Sequence, residues 1–403
     1  MPSTLPEGES PPPDGALPEA ARAEVGRRPL SVYLHVPFCT TRCGYCDFNT
    51  YTAAELGPGA SRAGYVDTAI TELDLAIRAL GPDAPEVSTV FVGGGTPTLL
   101  PSVELGRLVD AVRQRFGLTS DAEVTTESNP ESVTADDLVR LRECGFTRIS
   151  FGMQSAVPHV LATLDRVHSP GRAEQAVADA RAAGFRQVSL DLIYGTPGES
   201  AADWEISLDA ALAARPDHVS AYALIVEPGT RLAARVRRGE LPMPDEDDLA
   251  DKYLAAEARL TSAGFAAYEV SNWAARPAAR CRHNLAYWRG DHWWGVGPGA
   301  HSHVGGVRWW NVKHPSAYAE RLMSGRTPAY AREVLTPAER RTERVLLELR
   351  LAEGLALEVL TATEARRVPD LVARGLAEIE DERLALTLRG RLLADGVVRD
   401  LLD

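Results

Sequence analysis

The chain has 403 residues, a formal net charge of −13 and a charged fraction of 25%. This length has room for two or three domains, and the 45% hydrophobic content is ordinary for a globular protein. The acidic balance and the lack of a lysine- or arginine-rich block argue against nucleic-acid binding. No stretch approaches the ~18 consecutive apolar residues of a membrane-spanning helix, and the first residues do not resemble a secretory signal. We therefore expect a cytoplasmic protein.

Residues 1–28 carry a triple proline and several alanines and glutamates without an apolar core, which predicts a disordered tail. After it, strands and helices alternate. The strands are predicted at Leu30–Val36, Val87–Val92, Glu123–Ser128, Arg148–Phe151, Gln187–Ile193 and His218–Leu224. The helices are predicted at Ser61–Leu80, Val103–Phe116, Ala135–Cys144, Gly171–Ala183 and Ala201–Ala213. This alternation indicates parallel β/α units, and six are too few for a closed eight-unit barrel. We predict an α/β fold with a partial, laterally open (β/α)6 barrel.

The predicted barrel occupies residues 29–230, and two further regions follow it. Residues 231–334 are less regular and hold six of the seven tryptophans, so we interpret them as an extension of the barrel. Residues 335–403 begin with a predicted helix at Pro337–Leu351 and end in a strand, a turn and a helix. This last region is predicted to form a small α+β winged-helix-like domain.

Three cysteines, Cys39, Cys43 and Cys46, lie within eight residues directly after the first predicted strand. Thiolates are the preferred ligands of iron–sulfur clusters, and a cubane cluster usually takes four of them. Three thiolates leave one iron open to chelate the amino and carboxylate groups of a small molecule. Structural zinc completed by His35 is an alternative. A disulfide framework is a weaker one, because five cysteines are spread over a long chain.

Other motifs end at the same predicted rim, where the carboxyl ends of parallel strands meet. The glycine run in Gly93–Thr98 lets the backbone approach a ligand closely, although a tight turn without a ligand would need it too. Glu127 and Asp191 each close a strand, and a carboxylate there can pair with an ammonium group or accept from ribose hydroxyls. A purely structural acid is the alternative for both.

Four more side chains near this rim are candidate contacts for a bound small molecule. Gln154 can hydrogen-bond to ribose or carboxylate. Arg166 can clamp a carboxylate with two hydrogen bonds, or form an unrelated surface ion pair. Tyr33 and Tyr45 flank the cysteines, and each ring can stack on a base or fill the core. Tyr45 is the better ligand candidate because it lies inside the loop.

A second motif, His283-Asn-Leu-Ala-Tyr287-Trp288, follows much later in the chain. Imidazole ligates heme iron, and aromatic rings can pack against the macrocycle, so the motif is a candidate heme site. The residue types alone favour the alternative, a packed loop in which His283 is hydrogen-bonded. Nearby, Gly295–Ser302 is glycine-rich and includes His301, which indicates another loop of close backbone approach.

Together these motifs resemble those of the radical S-adenosylmethionine, oxygen-independent coproporphyrinogen-III-oxidase-like family, from about residue 30 to the end of the chain. The resemblance implies the partial barrel and a [4Fe-4S] cluster held by Cys39, Cys43 and Cys46. It also implies S-adenosylmethionine as a cofactor. The positions that match its contacts in the family are Tyr33, Tyr45, Gly95, Thr96, Glu127, Gln154, Arg166 and Asp191.

Two features resemble the heme-chaperone members of this family more than its oxidases. Phe48 stands where the oxidases carry a further cysteine, and the motif His283–Trp288 marks the heme-binding members. The resemblance implies that His283 binds heme and that the protein transfers heme to apoproteins, above all respiratory enzymes. The alternatives are radical decarboxylation of porphyrinogen propionates and an enzyme that methylates or opens heme. Peripheral membrane association and a homodimer stay open.

Overall fold

A computed structural model describes residues 7–56, 62–166, 169 and 171–402. Its strands are β1 (Leu30–Val36), β2 (Val87–Gly94), β3 (Leu118–Ser128), β4 (Arg148–Gln154), β5 (Gln187–Tyr194), β6 (His218–Ala223), β7 (Ala266–Ala267), β8 (Asn272–Ala274), β9 (His292–Val296), β10 (His301–Val304), β11 (Val307–Asn311), β12 (Ala329–Val334), β13 (Leu355–Ala356), β14 (Ala377–Glu380) and β15 (Arg383–Leu386).

The helices are α1 (Glu19–Arg22), α2 (Ala53–Leu56), α3 (Arg62–Leu80), α4 (Ser102–Phe116), α5 (Ala135–Glu143), α6 (Pro158–Thr163), α7 (Arg172–Ala182), α8 (Ala201–Ala213), α9 (Arg231–Arg237), α10 (Glu246–Ser262), α11 (Arg282–Trp288), α12 (Pro315–Met323), α13 (Pro337–Glu348), α14 (Ala362–Ala365), α15 (Val368–Ala373), α16 (Leu388–Leu392) and α17 (Ala394–Leu402). Within the described ranges, none of them is long and apolar enough to cross a membrane.

The main sheet has the strand order β12-β11-β10-β9-β1-β2-β3-β4-β5-β6-β8-β7. Strands β1 to β6 pair in parallel in sequence order, as the predicted partial barrel requires. The sheet continues beyond both edges of this barrel. On one side β9 pairs in parallel with β1, and β10 to β12 follow in antiparallel pairs. On the other side β8 and β7 add an antiparallel edge to β6.

The central strands are buried because helices cover the outer face of the barrel, as expected for parallel sheets. In β1, Val32, Leu34 and Val36 have no exposed surface, and the apolar stripe of α4 packs on the same core. Burying each such side chain contributes roughly 1.5–3 kcal/mol. Helices α5 and α8 both begin with a capping box, Thr134 with Asp137 and Ser200 with Asp203. Local caps and buried stripes therefore explain where these helices begin and which face they bury.

The prediction of a disordered tail is wrong for residues 7–28. Leu17, Ala21 and Val25 are buried in the main core, and α1 lies within this segment. Glu9 pairs with Arg332 on β12 through two backbone hydrogen bonds of 2.9 Å. The spacing of four residues between the three apolar side chains forms a short stripe that the proline-rich composition conceals. Residues 1–6 of the predicted tail lie outside the described residues.

The C-terminal region forms a small antiparallel sheet with the order β13-β15-β14, surrounded by α13 to α17. It has its own hydrophobic cluster, which includes Val345, Leu355, Leu384 and Leu401. The β14–β15 turn has Asp381 and Glu382 in left-handed conformation, with φ of 46° and 59°. This matches the tight hairpin turns that follow the twist of antiparallel strands. The small α+β domain predicted at this end is present.

Candidate functional site

The inside of the barrel encloses one large cavity of about 1240 Å³. Its lining comes from the cysteine loop, from β1 to β6 and from the region after β6. All twelve predicted site residues line it: Tyr33, Cys39, Cys43, Tyr45, Cys46, Gly95, Thr96, Glu127, Gln154, Arg166, Asp191 and His283. The fold therefore brings both groups of motifs, far apart in the sequence, to one space.

The strands direct polar side chains into this cavity at every second position. On β4 these are Arg148, Ser150 and Gln154, with Gly152 at the intervening inward position, and the lining residues of β5 and β6 show the same spacing. Alternate residues of a strand face the same side, so this period marks the inner face of the barrel. Strands buried on both faces are otherwise nearly all apolar. Polar residues at such spacing are thus the sequence signal of the cavity.

The cysteine loop is held in shape by backbone hydrogen bonds on both sides. Cys39 N–H donates to the Tyr51 carbonyl at 3.0 Å, and Gly44 N–H donates to the Leu164 carbonyl at 3.0 Å. Leu232 N–H, at the start of α9, donates to the Gly44 carbonyl at 2.8 Å. All three cysteines are half-buried, and burial raises the pKa of Cys46 to about 11. A bound cation would oppose this shift by stabilising the thiolate.

His35, the ligand that the zinc alternative requires, has both ring nitrogens in hydrogen bonds. Nδ1 pairs with the Tyr33 hydroxyl at 3.0 Å and Nε2 with the Asn49 carbonyl at 2.9 Å. Its contacts are those of a structural residue that fixes the end of β1. With His35 engaged in this way, the three cysteines are the thiol donors that the loop offers, and their number fits a cluster with one open iron.

The glycine run packs against the end of β1. Gly94 has φ of +111°, and a Cβ there would lie 2.6 Å from the His35 ring. A Cβ on Gly95 would overlap the Phe38 carbonyl oxygen. Gly95 N–H donates to the Val36 carbonyl at 2.8 Å, so the glycine run lies against the end of β1, beside the cysteine loop. Only residues without side chains can lie this close to β1. The same lack of side chains leaves the backbone of the glycine run facing the cavity.

Glu127 and Asp191 are two buried carboxylates on the cavity wall. Glu127 accepts from Gly94 N–H at 3.0 Å, and burial, with the nearby Asp191, raises its pKa to about 8. Asp191 accepts from the hydroxyls of Ser150 and Ser220 at 2.9 and 2.7 Å, and burial raises its pKa. Two buried carboxyl groups with raised pKa values favour a ligand between them that carries a positive charge or hydroxyl groups.

Gln154 and Arg166 lie beside the cysteine loop. Gln154 has φ of 59°, which is unusual for a side chain of this type, and its buried Oε1 has no hydrogen-bond partner among the described residues. Such strain and an orphaned acceptor are typical of ligand sites. Arg166 donates to the Gly152 carbonyl at 2.9 Å and contacts the Cys43 sulfur at 3.4 Å. Arg166 lies in the cavity wall beside the cysteine loop.

The two tyrosines have different surroundings. Tyr33 stacks on Phe91, with ring centres 6.3 Å apart, and Phe91 stacks on His283 at 5.1 Å. Tyr45 packs against an apolar cluster that contains Leu164 and Leu232. Tyr33 thus belongs to an aromatic wall inside the barrel, whereas Tyr45 lies at the cysteine loop.

His283 lies in the first turn of α11 with both ring nitrogens hydrogen-bonded. Nδ1 pairs with the Thr89 hydroxyl at 2.7 Å and Nε2 with the Tyr287 hydroxyl at 2.9 Å. Burial lowers its pKa to about 3. This is the packed, hydrogen-bonded arrangement that the residue types favour. A heme-ligand role for His283 would require one of these bonds to break, and it stays a prediction.

Several side chains that shape the site are not among the residues predicted from the sequence. Arg148 and His218 lie on its inner wall, and Tyr287 contacts Trp293 with ring centres 4.8 Å apart. Glu123 accepts from the backbone of α11. The two-residue period along β4 and β6 would have revealed Arg148 and His218, whereas no local signal marks Glu123.

The chain is similar to proteins of known families. The Radical SAM superfamily matches residues 33–211. The heme chaperone HemW of Mycobacterium tuberculosis is 58% identical over 93% of this chain and 95% of its own length. The heme chaperone HemW of Bacillus subtilis is 32% identical over 91% of this chain and 97% of its own.

The chain belongs to the HemW family of radical SAM proteins. Membership of the superfamily implies a [4Fe-4S] cluster and S-adenosylmethionine as cofactors. The structure of coproporphyrinogen III oxidase from Escherichia coli has the same fold, with a TM-score of 0.80, 24% identity, and coverage of 94% of this chain and 92% of that one. The partial barrel with a small C-terminal domain is thus a shared architecture, and the chemistry must be argued from the cavity.

Proposed function

We propose that this protein is a heme chaperone. It binds heme in the barrel cavity, beside a [4Fe-4S] cluster and S-adenosylmethionine, and transfers heme to apoproteins, above all respiratory enzymes. The observation that carries this proposal is that the cysteine loop and three residues of the second motif, His283, Asn284 and Tyr287, line the same cavity. The names of the two HemW relatives support the heme part.

The residues at the rim suit the two cofactors. Cys39, Cys43 and Cys46 would hold the cluster, and its open iron would take the amino and carboxylate groups of the cofactor. The carboxylates of Glu127 and Asp191 suit ammonium and ribose groups, while Gln154 and Arg166 offer an unpaired amide oxygen and a buried cation. When bound, the cluster supplies one electron that can break a carbon–sulfur bond of S-adenosylmethionine.

The aromatic wall provides the heme surface. It runs from Tyr33 through Phe91 and His283 to Tyr287 and Trp293, with neighbouring ring centres 4.8–6.3 Å apart. Flat apolar rings of this kind pack against a macrocycle and exclude water. The cavity volume of about 1240 Å³ exceeds the ~1,000 Å³ upper range for one drug-sized ligand. It therefore has room for heme in addition to the cofactor.

The experiment is anaerobic reconstitution of the cluster followed by heme titration, read from the heme absorption band. Wild type is expected to bind one heme per chain. His283→Ala removes part of the aromatic wall and is expected to weaken binding, whereas His159→Ala, an exposed control, leaves it unchanged. If the reconstituted protein converts coproporphyrinogen III and ignores heme, the protein is an oxidase and the chaperone proposal fails.

The transfer step needs its own measurement. Heme-loaded protein is mixed with a heme-free respiratory cytochrome, and the two proteins are separated and their absorption spectra recorded. We expect the heme to move to the cytochrome, and to do so faster than from a heme-loaded carrier of comparable affinity such as serum albumin. Heme that stays on the loaded protein would contradict transfer while leaving binding intact.

A further inference from the structure

Four histidines among the described residues line the cavity: His35, His218, His283 and His301. Three of them have both ring nitrogens in hydrogen bonds. His218 pairs with the Ser189 and Tyr268 hydroxyls at 2.7 and 2.9 Å, and the bonds of His35 and His283 are given above. Each of these three would have to lose a bond before it could ligate a metal.

His301 is different. It is the first residue of β10, and its Nδ1 is buried without a hydrogen-bond partner among the described residues. Buried polar nitrogens in proteins are nearly always paired, so an orphaned one that lines a cavity points to a missing ligand. Burial lowers the pKa of His301 to about 4 against an opposing contact with the Gly299 backbone, so its imidazole is neutral at pH 7, the form that ligates metals.

The surroundings of His301 fix its place in the wall. Its ring stacks on Trp310, with centres 6.0 Å apart and planes inclined by 29°. Its carbonyl accepts from the Trp293 indole N–H at 3.1 Å. A Cβ on Gly295 of β9 would overlap the same carbonyl, so a glycine at this position of β9 is needed to place His301. Trp293 also contacts Tyr287 of the heme motif, so His301 lies at the end of the aromatic wall.

We propose that His301 is the protein ligand of the heme iron, and that His283 shapes the wall against which the macrocycle packs. This inference rests on the proposed heme binding. It assigns the iron to the histidine whose nitrogen is unpaired, and it leaves the hydrogen bonds of His283 to Thr89 and Tyr287 intact.

The test compares heme with protoporphyrin IX, the same macrocycle without iron. Both are titrated into wild type, His301→Ala, His283→Ala and His303→Ala. His303 is the matched control, two residues further along β10, where its Nδ1 pairs with the Asp291 carbonyl at 3.0 Å. If His301 binds iron, His301→Ala should lose about tenfold or more in heme affinity and keep its protoporphyrin affinity. His283→Ala should weaken both ligands alike.

A second readout keeps the test decisive if His301→Ala perturbs packing. Added imidazole should restore the wild-type absorption and electron paramagnetic resonance spectra of bound ferric heme in His301→Ala. Equal losses of heme and protoporphyrin in that variant, or a normal heme spectrum without imidazole, would overturn the assignment. The assignment would also be overturned if the wild-type protein bound protoporphyrin IX and heme with equal affinity. If wild type binds neither, heme binding itself is refuted, which is a separate failure.

Discussion

The carboxylate of Glu123 on β3 accepts hydrogen bonds from the backbone N–H groups of both Arg282 and His283, each at 3.1 Å. The Cys281 sulfur also contacts this carboxylate at 3.6 Å. The first turn of α11 has free N–H groups that need acceptors, and a buried glutamate from a distant strand provides them. The motif His283–Trp288 is therefore anchored directly to the barrel wall.

Replacing Glu123 with alanine should destabilise the protein, because two buried N–H groups would lose their acceptor. We expect the free energy of unfolding in urea to fall by about 1–3 kcal/mol. Heme affinity should also fall, since α11 carries His283 and Tyr287. Glu378→Ala, at an exposed position on β14, is the control and should unfold like wild type. An unfolding midpoint for Glu123→Ala equal to that of the control would contradict the anchor.

Alanine at Cys39, Cys43 or Cys46 should abolish the cluster. A cubane with fewer than three protein thiolates loses an anchored iron, so anaerobically reconstituted variants should hold far less than the ~4 iron atoms of wild type. Iron and acid-labile sulfide analysis measures this. Cys144→Ala is the control, because Cys144 lies against Gly106 outside the cavity, and it should retain full iron. Zinc in place of iron in wild type would contradict the assignment.

Gly95→Ala should disturb the cysteine loop and the cofactor site together. The added Cβ would overlap the Phe38 carbonyl oxygen, so the backbone must shift by several tenths of an ångström. We expect about tenfold or greater loss of S-adenosylmethionine affinity in calorimetry of the reconstituted protein. Gly396→Ala introduces a Cβ with no atom within 4 Å and is the matched control. Equal affinity in the two variants would show that the close approach at Gly95 is dispensable.

Glu72 on α3 should make folding depend on pH. It accepts from the Tyr318 hydroxyl at 2.5 Å and from Gly297 N–H at 2.8 Å, yet burial raises its pKa from 4.5 to about 7. Between these values the native state keeps a proton that the unfolded state has released, so its contribution to stability is full below pH 4.5 and is lost as pH rises through 7.

The measurement for Glu72 is urea unfolding from pH 4.5 to 8 of wild type and Glu72→Gln. Glutamine does not titrate, so the difference between the two proteins isolates this one group. We expect wild type to lose about 1–3 kcal/mol relative to the variant over this range. Parallel pH profiles would mean that Glu72 is ionised in the folded protein.

The sequence predicts the barrel well because its signals are local. The bounds of β1 and α8 coincide with the predicted ones, since a buried apolar run and a capping box mark them. The additional pairing of β1 with β9 has no such signal, because it joins residues more than two hundred positions apart. The prediction of a disordered tail was wrong for residues 7–28, because Leu17, Ala21 and Val25 meet their apolar partners only in the folded core.

The candidate site shows the same division. Residue type and position after a strand predict Glu127 and Asp191, and both lie on the cavity wall. They cannot predict which nitrogen of a histidine is paired, because that depends on Thr89 from the distant strand β2 and on the helical turn that brings Tyr287 to His283. The contrast between His283 and His301 therefore became visible only in three dimensions.

Strand β1 carries the cysteine loop and pairs with β9 from Leu30 opposite His292 to Leu34 opposite Val296. During synthesis, β1 leaves the ribosome long before its second neighbour exists. One edge of that strand stays open until residue 296 has emerged, so the loop reaches its final support only when almost three quarters of the chain has been made. Stable loading of iron should accordingly be a late event in biogenesis, after translation of the segment that also brings His283.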